Sequence, residues 1–178
     1  MELMAKAMNS TTKAVKVSNF ATKANFRTKS GDLTADIVQY VRECLMNVAK
    51  DGSAQNLQLS FTGDVKVTFP MRFKPIDIAV VIDNIAFNSE KAGATQLNVD
   101  VTRVTDNELR LEFLNNGPGL SPEVQPPEKV FERGVTTAKG SGLGLYHVRE
   151  TLKEMRGSTI HLKEGEEAGF GLVIRLFK

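Results

Sequence analysis

Gly134-Val-Thr-Thr-Ala-Lys-Gly140-Ser-Gly142-Leu-Gly144-Leu145 runs straight into a segment whose apolar residues Leu145, Val148, Leu152 and Met155 stand at helical spacing. The spacing predicts a helix from about Leu143 to Met155, with Gly157 ending it. A glycine loop feeding a helix start is an anion site in outline. Glycine lets backbone N–H groups approach a phosphate, and the helix N-terminus presents unpaired donors with positive partial charge. Two common phosphate motifs do not fit. A P-loop needs Gly-Lys-Ser/Thr after Gly and four residues, but five positions on from Gly134 stands Lys139. In the dinucleotide fingerprint the last glycine would fall on His147 or Leu145, and the preceding Pro126-Pro-Glu-Lys-Val-Phe-Glu-Arg133 is no buried strand.

Two further boxes precede this one. Asn84-Ile-Ala-Phe-Asn88-Ser-Glu-Lys91 closes a helix predicted from Pro75 to about Lys91, with Pro75 in its first turn. On a helix Asn84 and Asn88 lie about 40° apart and Lys91 about 60° from Asn88. Two carboxamides and an ammonium therefore share one polar stripe. Ile78, Val81, Ile82, Ile85 and Ala92 supply the core side. A carboxamide oxygen suits Mg²⁺, which favours oxygen ligands, and Lys91 suits phosphate. Alone, this is an ordinary solvent-facing stripe. Asn115-Asn-Gly117-Pro-Gly119 follows a predicted strand Leu109–Leu114, and a polar side chain at a strand end followed by glycines lets backbone and side chain read a flat base edge. Alone, it is an ordinary turn string.

The rest of the chain sets the architecture. Residues 3–24 carry a narrow apolar stripe at helical spacing, suited to pairing with another helix, and Asn25 to Gly31 breaks it. Asp32 or Thr34 is expected to cap a second helix with Ile37, Val38, Val41, Leu45 and Val48 inward. Leu57–Phe61 and Val65–Phe69 alternate as strands, with Met71-Arg-Phe73 continuing that sheet. Leu97–Val104, Leu109–Leu114, Ser158–Leu162 and Gly171–Phe177 complete the set. The expected fold class is α+β: a two-layer sandwich of a mixed sheet with helices on one face, plus an N-terminal helical extension. The expected division is 1–31 as that extension and candidate homodimer contact, and 32–178 as the functional domain. At 178 residues there is room for one good-sized core. No apolar run is long enough for a membrane span, and Met1 to Lys13 lacks a signal-peptide core. The single Cys44 reads as a buried thiol, and a cytoplasmic location is expected. One Cys and two His argue against structural zinc. Net charge is +2, with Lys6, Lys13, Lys16, Lys23, Arg27 and Lys29 crowded into residues 1–31. That arm reads as a solvated helix face, because no aromatic interleaving supports nucleic-acid binding.

The three boxes in this order resemble the ATP-binding domain shared by gyrase, heat-shock chaperones, histidine kinases and mismatch-repair ATPases, the GHKL superfamily with its Bergerat-type fold. The resemblance covers roughly residues 34–178. It is nearest to histidine kinases, whose ATP lid is similar to Val130-Phe-Glu-Arg-Gly-Val-Thr-Thr-Ala-Lys-Gly-Ser-Gly-Leu-Gly-Leu145. The resemblance implies ATP and Mg²⁺ as ligands. Asn88 would hold the metal, with Asn84 and Lys91 beside it as candidate catalytic residues. Asn115 would occupy the adenine-reading position, with Gly117 and Gly119 making room for the base. Thr136, Thr137 and Lys139 would lie on the lid near the terminal phosphates. Gly140, Ser141, Gly142, Leu143 and Gly144 would cradle the phosphates.

Four departures from the family pattern shape the functional expectation. Asn115 replaces the usual Asp, so adenine binding is expected to be weaker and less selective, because an amide can donate as well as accept. Asn84 stands where the chaperone and gyrase branches carry a water-activating Glu, and Asn is no general base; rapid hydrolysis is not expected. No phosphoacceptor histidine precedes the domain, since the first His is His147. Gly171 stands near where many histidine kinases carry a Thr. His147 and His161 read as structural or solvated residues. The leading expectation is a signalling kinase's ATP-binding domain, a fragment of a longer protein, transferring phosphoryl to an acceptor protein or to a missing domain. The rival is a nucleotide-gated conformational or dimerisation module with slow or no hydrolysis. A third reading is a scaffold that no longer binds nucleotide.

Overall fold

The computed structural model describes residues 31–51, 54, 56–64, 66–136, 141–163 and 169–178. The expected N-terminal helix and its dimer contact, and Thr137, Lys139 and Gly140 of the lid, lie outside these residues.

A short strand β1 (Leu33–Asp36) leads directly into helix α1 (Ile37–Asp51). Strand β2 (Gln58–Gly63) follows, then β3 (Pro70–Phe73) and helix α2 (Pro75–Lys91). Strands β4 (Gln96–Arg103) and β5 (Glu108–Asn115) form a hairpin. A long connection containing a 3-10 turn at Pro127–Phe131 leads to helix α3 (Gly144–Lys153). Strands β6 (Thr159–Leu162) and β7 (Phe170–Phe177) end the chain.

Five strands make one sheet in the order β2-β4-β5-β7-β6, and β1 pairs with β3 separately. The β2–β4 pair is parallel and the others are antiparallel, so the sheet is mixed as expected. Register follows from the period of two. Val99 lies opposite Phe113, and Phe113 opposite Leu172. Leu111 lies opposite Ile174, which lies opposite Ile160. All six are buried. This apolar face meets the inward stripes of α1, α2 and α3 in one core. Each fully buried Leu, Ile or Phe contributes roughly 1.5–3 kcal/mol, and in β4 and β5 the alternation buries every second side chain. The opposite face carries ion pairs such as Arg175–Glu108 at 3.1 Å and Arg110–Glu112 at 3.0 Å. These pairs are partly exposed, with half-buried carboxylates, and their attraction is offset in part by desolvation.

The structure corrects the sequence reading at four places. The cap of α1 is Asp36, neither Asp32 nor Thr34. Its carboxylate accepts from the Val38 N–H at 3.1 Å and from the Phe69 N–H at 2.9 Å. Leu33–Asp36 is a strand, too short for its alternation to stand out. Lys66–Phe69 is not a strand. Asp64 draws the Lys66 and Val67 N–H groups into a turn, and Phe69 bonds to Asp36 and Ile37 instead of a neighbouring strand. Met71 and Phe73 pair with β1 and do not join the main sheet. Ala92 is exposed at the C-cap of α2 and takes no part in the core stripe. Pro75 does open α2, and the Tyr40 hydroxyl donates to its carbonyl at 3.0 Å, tying α1 to α2. Cys44 is buried as expected.

Candidate functional site

The C-terminal half of α2, the ends of β4, β5 and β7, the loop after β5 and the start of α3 enclose a cavity of about 520 Å³. Its apolar walls include Ile85, Leu97, Phe113, Val130, Phe170 and Leu172. Its polar groups include Asn84, Asn88, Lys91, Asn115, Thr136 and Ser141. No carboxylate stands among the described residues that line it. An apolar slot with a few convergent polar groups and one ammonium suits a flat base carrying an anionic tail.

The stripe on α2 forms as the helical period requires. The Asn84 amide donates to the Val80 carbonyl of its own helix at 2.8 Å, which leaves Oδ1 directed outward. The start of α3 rests directly on this stripe. A β-carbon on Gly144 would stand 2.6 Å from Asn88 Nδ2 and 3.2 Å from Asn84 Oδ1, so any larger residue has to displace the Asn88 carboxamide or the helix start. Leu143 caps α3 without a side-chain bond. The N-terminus of α3, where a helix carries N–H groups without intrahelical partners, thus faces the cavity through Leu143, Gly144 and Leu145.

The strand-end box is built as firmly. Asn115 is buried; its Nδ2 donates to Ser89 Oγ at 3.0 Å, and its Oδ1 accepts from the Gly117 N–H at 3.0 Å. Asn116 Oδ1 accepts from the Thr95 and Gln96 N–H groups at 2.9 and 2.8 Å, which pins the glycine corner to the start of β4. Gly169, at φ +89°, crosses the box so closely that a β-carbon would lie 2.0 Å from the Asn115 carbonyl oxygen. The lid is closed at its base, where the Gly134 N–H donates to the Gly142 carbonyl at 3.0 Å. Gly142 has φ +64°, and a β-carbon there would run into Gly134.

Of the residues singled out from sequence, Asn84, Asn88, Lys91, Asn115, Gly119, Thr136, Ser141, Gly142, Leu143 and Gly144 line the cavity. Gly117 does not. It lies beneath Asn115, against Ala94. Gly171 turns away from the cavity toward the Lys163 side chain, and the neighbouring wall position is Leu172. Sequence reasoning missed Ser89, although it sits inside the α2 box. It also missed the walls Leu97, Phe113 and Leu172, which read as ordinary strand core. His147, taken as structural or solvated, is exposed at the cavity rim. Burial raises the Asp77 carboxyl above its ordinary value, with Lys74 opposing. That residue sits in the first turn of α2, outside the cavity lining.

Residues 73–178 match a family model described as histidine kinase-, DNA gyrase B-, and HSP90-like ATPase. The signal transduction histidine-protein kinase AfsQ2 of Streptomyces coelicolor is 31% identical over 111 residues, 59% of this chain and 20% of that protein. The sensor protein EvgS of Escherichia coli is 25% identical over 132 residues, 68% of this chain and 11% of EvgS. The chain thus corresponds to a small part of these relatives. The catalytic domain of histidine kinase ThkA superposes with a TM-score of 0.68 at 21% identity, covering 83% of this chain and 96% of that one. The mycobacterial sensor histidine kinase MprB superposes at 0.65 with 19% identity, covering 83% and 97%. Both share the fold.

Proposed function

The chain belongs to the histidine kinase-, DNA gyrase B- and HSP90-like ATPase family, and from that membership we propose that it is a Mg²⁺-dependent ATP-binding domain of histidine kinase type. It hands the γ-phosphoryl group of ATP to an acceptor supplied by another segment or another protein. The observation that carries this reading is the cavity itself: Asn84, Asn88, Lys91 and the open start of α3 converge there, with no carboxylate among the described lining residues.

In this reading the base enters the apolar part of the cavity, lies against the wall that Phe113 and Leu172 form side by side on the sheet, and is read by Asn115. Gly117 shapes the corner behind Asn115, and Gly119 leaves room at the cavity edge. The phosphates meet Lys91, Ser141, Gly142, Leu143 and Gly144. Thr136, Thr137, Lys139 and Gly140 approach them from the lid. The donor set fits a metal that arrives with phosphates. It offers carboxamide oxygens and no carboxylate, and no group of three or more His, Cys, Asp or Glu among the described residues could hold a metal ion. Asn88 is the residue that would hold Mg²⁺, which when bound neutralises charge on the phosphates. Residues 32–178 form the ATP-binding unit, and residues 1–31 an extension available for a dimer contact. Among the described residues no helix is long and apolar enough to cross a membrane. A cytoplasmic site of action, where ATP is abundant, is part of the proposal.

Asn84 cannot take a proton from water, so positioning without a base favours transfer over hydrolysis. Steady-state ATP turnover by the chain alone is the test. Turnover slower than about 10⁻² s⁻¹ is expected. Rapid hydrolysis would reveal a base outside this account and contradict a transfer domain.

A further inference from the structure

We infer that Ser89 and Asn115 together set the base selectivity of the cavity, and that they admit purine nucleotides bearing a 6-oxo group on nearly the same footing as those bearing a 6-amino group. This rests on the nucleotide reading of the cavity given above.

The starting point is a count of hydrogens. Ser89, in the buried side of α2, has one hydroxyl hydrogen, and it donates to the Ile85 carbonyl at 2.9 Å. That leaves only lone pairs on Ser89 Oγ for Asn115, 3.0 Å away. The end of Asn115 facing Ser89 is therefore its NH₂ group. At the other end the Gly117 backbone N–H, which can only donate, lies 3.0 Å from the side chain and requires Oδ1 there. A flipped amide would set oxygen against lone pairs and N–H against N–H in a buried place. The network thus fixes which end is which, the kind of evidence on which an amide orientation rests.

Each end is half engaged. Nδ2 keeps one hydrogen and Oδ1 one acceptor position. Asn115 lines the cavity, so a ligand there can meet both. A carboxylate at this place would present acceptors alone, favouring a 6-amino group and opposing a 6-oxo group. The locked amide offers a 6-amino group its oxygen and a 6-oxo group its N–H. A small in-plane shift of the base serves either case. Ser89 is the positioning residue, because it holds one amide hydrogen away from the ligand.

Calorimetric titration with Mg·ATP and Mg·ITP tests the inference without any substitution. The two dissociation constants should agree within about tenfold. Asn115→Asp should move their ratio toward ATP by about tenfold or more, since Ser89 can turn its hydroxyl to the new carboxylate. Ser89→Ala frees a second amide hydrogen and should move the ratio toward ITP by about threefold or more, with binding of inorganic tripolyphosphate unchanged. Wild-type preference for ATP beyond about tenfold, or a ratio unmoved by Asn115→Asp, would overturn the inference while leaving the nucleotide site standing. Failure of both nucleotides to bind at millimolar concentration would overturn the nucleotide reading together with it.

Discussion

Gly144 decides how closely the two halves of the site meet. Its α-carbon faces Asn84 and Asn88, and a methyl group would stand 2.6 Å from Asn88 Nδ2. Gly144→Ala should push the start of α3 off the asparagine pair and weaken Mg·ATP binding by about tenfold or more, since small displacements of positioned groups are costly. The thermal midpoint should barely change, because alanine favours a helix by up to about 1 kcal/mol over glycine. Titration and a melting curve on one preparation check this; unchanged affinity would mean that α3 does not need its seat on Asn88. The sequence made Gly144 visible as one glycine in a run. It could not show the reason, because the contact joins residues far apart in the chain. Gly169 is similar: it stands just before β7, and its place is forced by the Asn115 carbonyl. Asn84, Asn88 and Lys91 were legible because one helix period brings them together.

At the scale of elements, α2, β4, β5 and β7 were readable because long periodic segments with one buried face carry a strong pattern. The short β1 was not, and neither was the turn at Lys66. Both depend on which side chain captures a backbone N–H. Asp36 is the clearest case, since its carboxylate serves the start of α1 and Phe69 at once. Asp36→Ala should cost about 1–2 kcal/mol, toward the upper end for a cap because a second donor also loses its partner. Urea unfolding measures this, and Asp36→Asn should recover most of it. A loss below about 0.5 kcal/mol would show that water replaces the carboxylate at both donors.

For the whole molecule, the cavity is assembled from segments distant in sequence. The helix α2 supplies the polar stripe, β5 the Asn115 corner, and the start of α3 the facing side with Ser141, Gly142 and Leu143. Three short boxes in the right order carried this arrangement, which explains why the polar half of the site was legible. The apolar half was not. Leu97, Phe113 and Leu172 obey the same alternation as residues buried deep in the core, and only the packing of helices over the sheet leaves a slot beside them. The most direct test of the whole arrangement is calorimetric titration of the chain with ATP, with and without Mg²⁺, alongside Asn88→Ala. The account predicts Mg²⁺-dependent binding that Asn88→Ala abolishes while the melting curve of the free protein is kept. Binding that ignores both Mg²⁺ and Asn88, or no binding at millimolar ATP, would contradict it.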